Sequence, residues 1–81
     1  MNVGYYPGFK SELKNFPLAT RTKFYKQVEY LSRSIRHPSL RAKKYDESRG
    51  IWQARVDREI RFYFLIEGNT YVLLSIRKHP K

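Results

Sequence analysis

Cysteine is absent from this 81-residue chain, which excludes a disulfide-stapled scaffold and any thiolate metal site. Acid is scarce: seven Asp and Glu stand against seventeen Lys and Arg, for a net charge of +10. With two histidines and so few carboxylates, neither a bound metal nor another cofactor is expected. No apolar run approaches the roughly 18–20 residues of a membrane span. The opening Met1-Asn2-Val3-Gly4-Tyr5 lacks the pattern of a signal peptide. The sequence therefore predicts a cytoplasmic protein with no membrane partner. Repeats, low-complexity tracts and linkers are also missing, and the length suits a single domain over residues 1–81 with one modest core.

What the chain does contain is aromatic and basic. Seven tyrosines, five phenylalanines and one tryptophan are more than a disordered basic tail would carry, so a folded domain is expected. A small domain at +10 repels itself. An anionic partner would relieve that repulsion, and nucleic acid comes first.

The hydrophobic period divides the chain. Residues 2–6 read as a short strand. Pro7 sits where a helix can begin, because its missing N–H costs nothing in a first turn. Phe9, Leu13 and Phe16 follow on one helical face. Pro17 ends that helix and can open a second, in which Phe24, Val28, Leu31 and Ile35 continue an apolar stripe until Pro38. Two such helices make a hairpin with both stripes facing one sheet. The second half alternates. Trp52, Ala54 and Val56, then Ile60, Phe62, Phe64 and Ile66, then Val72, Leu74 and Ile76 mark one apolar face of three successive strands. Residues 40–45 can add another strand before a loop from Asp46 to Gly50. The expected class is α+β: an N-terminal strand, a helical hairpin, then an antiparallel meander.

Parity predicts the pairing. Val56 and Ile60 share a face, so Asp57-Arg58-Glu59 forms the first turn, with Arg55 opposite Arg61 and Gln53 opposite Tyr63. An odd second turn, Glu67-Gly68-Asn69 with Asn69 left-handed, places Arg61 opposite Ser75 and Tyr63 opposite Leu73. The face away from the helices then carries Gln53, Arg55, Arg61, Tyr63, Ser75 and Arg77, with His79 in the same parity. Two arginines directly opposite destabilise an open sheet unless an anion lies between them. They either splay into water over neighbouring side chains or hold a nucleic-acid phosphate. Tyr63 and Tyr71 can stack bases or simply pack on the sheet. Arg41, Lys43 and Lys44 form either a solvated run or a phosphate-positioning stripe. His79 can act as a general acid or base or be an ordinary surface residue. His37 belongs to a helix-ending turn, and Trp52 to the core.

Several strings, in this order and spacing, resemble the RelE/ParE superfamily of type II toxin–antitoxin toxins. They are Phe9-Lys10-Ser11-Glu12-Leu13 with Pro17, His37-Pro38-Ser39-Leu40-Arg41-Ala42-Lys43-Lys44, and Gly50-Ile51-Trp52-Gln53-Ala54-Arg55-Val56. Arg61-Phe62-Tyr63-Phe64-Leu65-Ile66-Glu67-Gly68 follows, and Val72-Leu73-Leu74-Ser75-Ile76 leads to His79. The resemblance spans nearly the whole chain and implies a helical hairpin on an antiparallel sheet of four or so strands. It also implies one of two activities. RelE-like members cut mRNA in the ribosomal A site and so inhibit translation. ParE-like members poison DNA gyrase. A third possibility is a catalytically silent member of the fold.

On the RelE-like branch, which is favoured, the protein would be a metal-independent endoribonuclease, an mRNA interferase. Arg61 matches the mid-strand arginine of those nucleases, and Arg55 a basic position on the preceding strand. His79 aligns with the general acid or transition-state cation after the last strand. Arg41, Lys43, Lys44, Tyr63, Arg77 and Lys78 would bind RNA and its phosphates. The implied partners are a cognate antitoxin, whose partly acidic segment would cover apolar positions such as Leu65 and Leu73, and the ribosome with its mRNA. Two positions depart from the pattern: Gln53 stands where one subgroup has lysine, and Pro80 where related toxins often have a tyrosine.

Overall fold

A computed structural model describes residues 1–79. Pro80 and Lys81, and with them the departure at Pro80, lie outside the described residues. The chain runs as strand β1 (Asn2–Tyr5), helix α1 (Phe9–Leu13), helix α2 (Leu18–Arg33) and a 3-10 turn (Pro38–Leu40). Strands β2 (Lys43–Asp46), β3 (Ile51–Arg55), β4 (Ile60–Glu67) and β5 (Thr70–Lys78) complete it. The five strands form one sheet in the order β1-β5-β4-β3-β2. Strands β2 to β5 are antiparallel neighbours, as expected. Strand β1 adds a parallel edge, Asn2 to Tyr5 lying beside Thr70 to Leu73. Among the described residues, no helix is long and apolar enough to cross a membrane.

The helices cover one face of the sheet. Phe24 of α2 meets Phe62 of β4 edge-on at 5.5 Å between centroids and Phe9 of α1 at 5.3 Å. Phe9, Phe24, Leu31, Leu40, Phe62, Phe64 and Leu73 are the largest fully buried side chains. Each contributes about 1.5–3 kcal/mol by leaving water. Trp52 lies half-buried against this core and stacks on Phe64.

Both helices are shorter than the periodicity predicts. The first has five residues and starts after a left-handed Gly8, at φ 92°, leaving Phe16 in the connection. The second ends at Ser34, whose backbone is extended, so Ile35 lies outside it. Pro38 does not stop this helix directly. It forces His37 into an extended conformation and opens the 3-10 turn, where His37 Nδ1 accepts from the Ser39 N–H at 3.2 Å. The His37 ring stacks on Tyr30 at 3.8 Å, tying the turn back to the helix.

The second hairpin corrects the expected register. Its loop has two residues, Gly68-Asn69, with Glu67 opposite Thr70. Gly68 holds φ 56° at the first central position, which suits the tight II′ turn that matches strand twist. Such a turn should flip every later side chain of β5. A bulge ends the flip partway along the strand: Phe64 pairs with Leu73 and Tyr63 with Ser75, so Leu74 is the extra residue. Before the bulge Tyr71 and Leu73 face the core, and after it Ile76 does. Val72 and Leu74, expected inside, are only half-buried. The expected pairs Arg61–Ser75 and Tyr63–Leu73 become Arg61–Arg77 and Tyr63–Ser75.

Candidate nucleic-acid interface

Two rows of residues cross the face of the sheet opposite the helices. One row is Arg55, Arg61 and Arg77, on β3, β4 and β5. The next is Lys43, Gln53, Tyr63 and Ser75, on β2 to β5. Neighbouring strands lie about 4.8 Å apart, so the three arginines stand in immediate succession. Repulsion along such a row is tolerated only where the fold over-determines it or an anion completes it.

Arg61 does not splay into water. It is 7% exposed, and its Nη1 donates to the Asp57 carbonyl at 2.7 Å and the Ile60 carbonyl at 3.2 Å. Those carbonyls are held by the turn itself. Asp57 Oδ1 accepts from the N–H groups of Glu59 and Ile60 at 2.9 and 3.0 Å, and Val56 N–H donates to the Ile60 carbonyl. The guanidinium is thus oriented by backbone before any ligand arrives. For Arg55, desolvation first, then the charges of Arg41, Arg61 and Arg58, lower the pKa from the usual arginine value. Burial and the neighbouring cations both disfavour its charged form, and a bound anion would offset the repulsion.

A cavity of about 390 Å³ opens over this region, lined by Arg41, Lys43, Gln53, Arg55, Arg61 and His79. Among the described residues that line it there is no carboxylate. Arg41 enters from the 3-10 turn in a left-handed conformation, φ 45°, uncommon for a non-glycine residue. His79 is brought in at the end of β5, where its N–H donates to the Glu59 carbonyl at 2.6 Å. A larger hollow of about 480 Å³ at the neighbouring turn is lined by Lys23, Asp57, Arg58 and Glu59, so it mixes charges of both signs.

The structure separates residues the sequence grouped together. Lys43 lines the cationic cavity, but Lys44 does not. It pairs with Trp52 on the helix side of the sheet and lays its Nζ 5.3 Å from the indole centroid. Lys78 pairs with Ile60, a core residue, and lies outside the cavity. Arg77 and Tyr63 line a second hollow on the same face, with Tyr45, Ile51, Leu74 and Ser75. Tyr63 meets Tyr45 edge-on at 4.8 Å. Desolvation first, then Tyr45, raises the Tyr63 pKa, against the opposing pull of Arg61 and Arg77. Tyr71 is 4% exposed on the core side and cannot stack a base, and Leu73 is fully buried and unavailable to a partner.

One residue that organises the site escaped the sequence reading. Gln27 of α2 is buried, and its Nε2 donates to the carbonyls of Arg55 at 2.8 Å and Ser39 at 3.1 Å. Its Oε1 accepts from Ser39 Oγ at 2.9 Å. One amide thereby ties the helix to the strand end carrying Arg55 and to the turn leading to Arg41. The signal was present: Gln27 lies three residues after Phe24 and four before Leu31, on the apolar stripe. Among the described residues, no group of three or more His, Cys, Asp or Glu is placed to hold a metal ion.

No family model and no curated protein matches the chain. Solved structures do. A YoeB/ParE toxin from Agrobacterium tumefaciens superposes with a TM-score of 0.81 at 14% identity, covering 99% of this chain and 100% of that one. The YoeB-YefM complex from Staphylococcus aureus gives 0.79 at 16% identity, covering 99% and 98%. The archaeal RelE-RelB complex from Pyrococcus horikoshii OT3 gives 0.80 at 13% identity, covering 95% and 92%. Over nearly its whole length, then, the chain has the α+β fold of the YoeB, RelE and ParE toxins.

Proposed function

We propose that this protein is the toxin of a type II toxin–antitoxin pair, and that it cuts mRNA on the ribosome. The observation that carries the reading is the arginine row, Arg55, Arg61 and Arg77, running into a cavity shared with Arg41, Lys43 and His79. Such a site suits a phosphodiester whose charge grows during reaction. The ribose 2′-oxygen attacks the adjacent phosphorus and passes its proton to solvent water, the bond from phosphorus to the 5′-oxygen breaks as that oxygen takes up a proton, and a 2′,3′-cyclic phosphate and a 5′-hydroxyl result. Arg55 and Arg61 stabilise the charge on the non-bridging oxygens. Arg61, pinned by two carbonyls, needs little reorganisation to do so. His79 lines the same cavity as Arg55 and Arg61 and is assigned the proton delivered to the leaving 5′-oxygen.

The partner under this reading is an antitoxin in the same cytoplasm. Matched structures include complexes of a toxin of this fold with YefM or RelB. A flexible, partly acidic segment would be captured quickly by a surface at +10. Its apolar side chains would cover Leu65, Ile66 and the exposed tyrosines, with Leu73 excluded by burial.

The test is induced expression with mRNA ends mapped by primer extension. New cuts in the ribosomal A site are expected, and His79→Ala should lower their rate by on the order of 10²–10³. Growth arrest without such cuts, or undiminished cutting by both His79→Ala and Arg55→Ala, overturns the nuclease reading. Filamentation with translation intact would point to gyrase instead. Absence of any growth defect would point to a silent member of the fold.

A further inference from the structure

We infer that the hollow beside the arginine row is a nucleobase subsite, which holds one base of a single-stranded RNA while the row holds its phosphate. The inference rests on the proposed RNA-binding role of the row and adds a second recognition element to it. The hollow measures about 160 Å³ and is walled by Tyr45, Ile51, Tyr63, Leu74, Ser75 and Arg77. That is room for one flat ring system and not for a folded polymer.

Three features favour a base as the occupant. The first is aromatic surface held ready: Tyr45 is 60% exposed and stands edge-on to Tyr63, a geometry that fixes its ring while leaving area to stack. The second is the bulge. It turns Leu74 and Ser75 outward together, so an apolar wall and a hydroxyl sit side by side where a regular strand would send one of them inward. The third is spacing. The Tyr63–Ser75 row lies two residues along the strands from the Arg61–Arg77 row, about 6.6–6.8 Å. That matches the reach from a phosphate through its ribose to its own base. Arg77 belongs to both, standing in the arginine row and lining the hollow. Stacking of this kind tolerates any base, because each has a π-face. Arg77 lines the hollow on the side of the arginine row, where the backbone must run, so a phosphate-linked ring fits it better than a free apolar side chain.

The experiment measures binding without ribosomes, so cleavage plays no part. A short fluorescein-labelled oligouridine and an abasic ribose-phosphate oligomer of equal charge are titrated with the protein at low salt by fluorescence anisotropy. Oligouridine should bind about tenfold more tightly than the abasic oligomer. Tyr45→Ala should remove about that factor from oligouridine and leave the abasic oligomer unchanged, while Tyr45→Phe keeps the ring and the affinity. Tyr45 is exposed, so its truncation leaves the core intact. Equal wild-type affinity for the two oligomers overturns the subsite alone. The arginine row would still stand, and the hollow would go to an apolar side chain of a protein partner. Equal weakening of both oligomers by Tyr45→Ala, or no effect on oligouridine, also overturns it. If neither oligomer binds, the phosphate reading of the row falls together with the subsite.

Discussion

Replacing Gln27 by methionine tests how the helix layer holds the cationic face. Methionine keeps the length and nearly the volume of glutamine, so packing against Phe24 and Leu31 changes little. What disappears is the pair of hydrogen bonds from Nε2 to the carbonyls of Arg55 and Ser39, together with the contact from Ser39 Oγ. Each carbonyl bond is worth about 1 kcal/mol net. Ser39 is exposed, and its hydroxyl will find water at little cost. The expected loss is about 2 kcal/mol, rising toward 4 if both carbonyls stay dry. Urea unfolding followed through Trp52, the single tryptophan, reads it directly. With a slope of about 2 kcal/mol/M the midpoint should fall by roughly 1 M. A loss below about 0.5 kcal/mol, the range of ordinary surface substitutions, would refute the reasoning. The carbonyls would then be satisfied by solvent, and Gln27 would not tie Arg55 and the turn before Arg41 to the helix.

Two further outcomes check the fold. If the bulge lies at Leu74, Leu73→Ala should cost about 2–5 kcal/mol and Leu74→Ala much less. The reverse order in denaturant melts would restore the regular alternation of β5. Asp46 closes the β2–β3 turn by accepting from Ser48 Oγ, Arg49 N and Arg49 Nε, and these bonds, Ser48's first, lower its pKa to about 2. The folded value lies below the ordinary aspartate value of 3.8. The stabilisation is therefore full above that value and disappears as pH falls through about 2. The stability gap between wild type and Asp46→Asn should narrow from pH 4 downward, and a constant gap would show that the turn does not depend on the charge.

Much of the site was legible as residue types on alternating positions. Arg55 opposite Arg61 and Gln53 opposite Tyr63 follow from the three-residue turn at Asp57, which parity requires. The third arginine was not legible as a partner. Alternation assumes an unbroken ladder behind a turn of known length; the two-residue turn moves the pairing by one residue and the bulge at Leu74 by one more, bringing Arg77 beside Arg61. The shorter turn, which sets the residues that precede the bulge, explains why Tyr71 and Leu73, expected outside, lie inside. Local turn chemistry is what misled the reading. Gly68 takes the positive φ, so the loop closes in two residues and Asn69 is not needed as a left-handed third.

By itself the sequence determined the order of strands and helices, because hydrophobic period and proline positions act over a few residues. It also determined the excess of positive charge and the lysines and arginines that supply it. Only the tertiary structure decided that β1 runs parallel along β5, since that pairing joins segments nearly seventy residues apart and has no local signal. It decided as well that Lys43 enters the cavity while Lys44 covers Trp52, and that Arg61 is held by carbonyls instead of water. Those outcomes depend on which face of a strand a neighbour leaves open. That is set when the sheet closes, not by any stretch of chain alone.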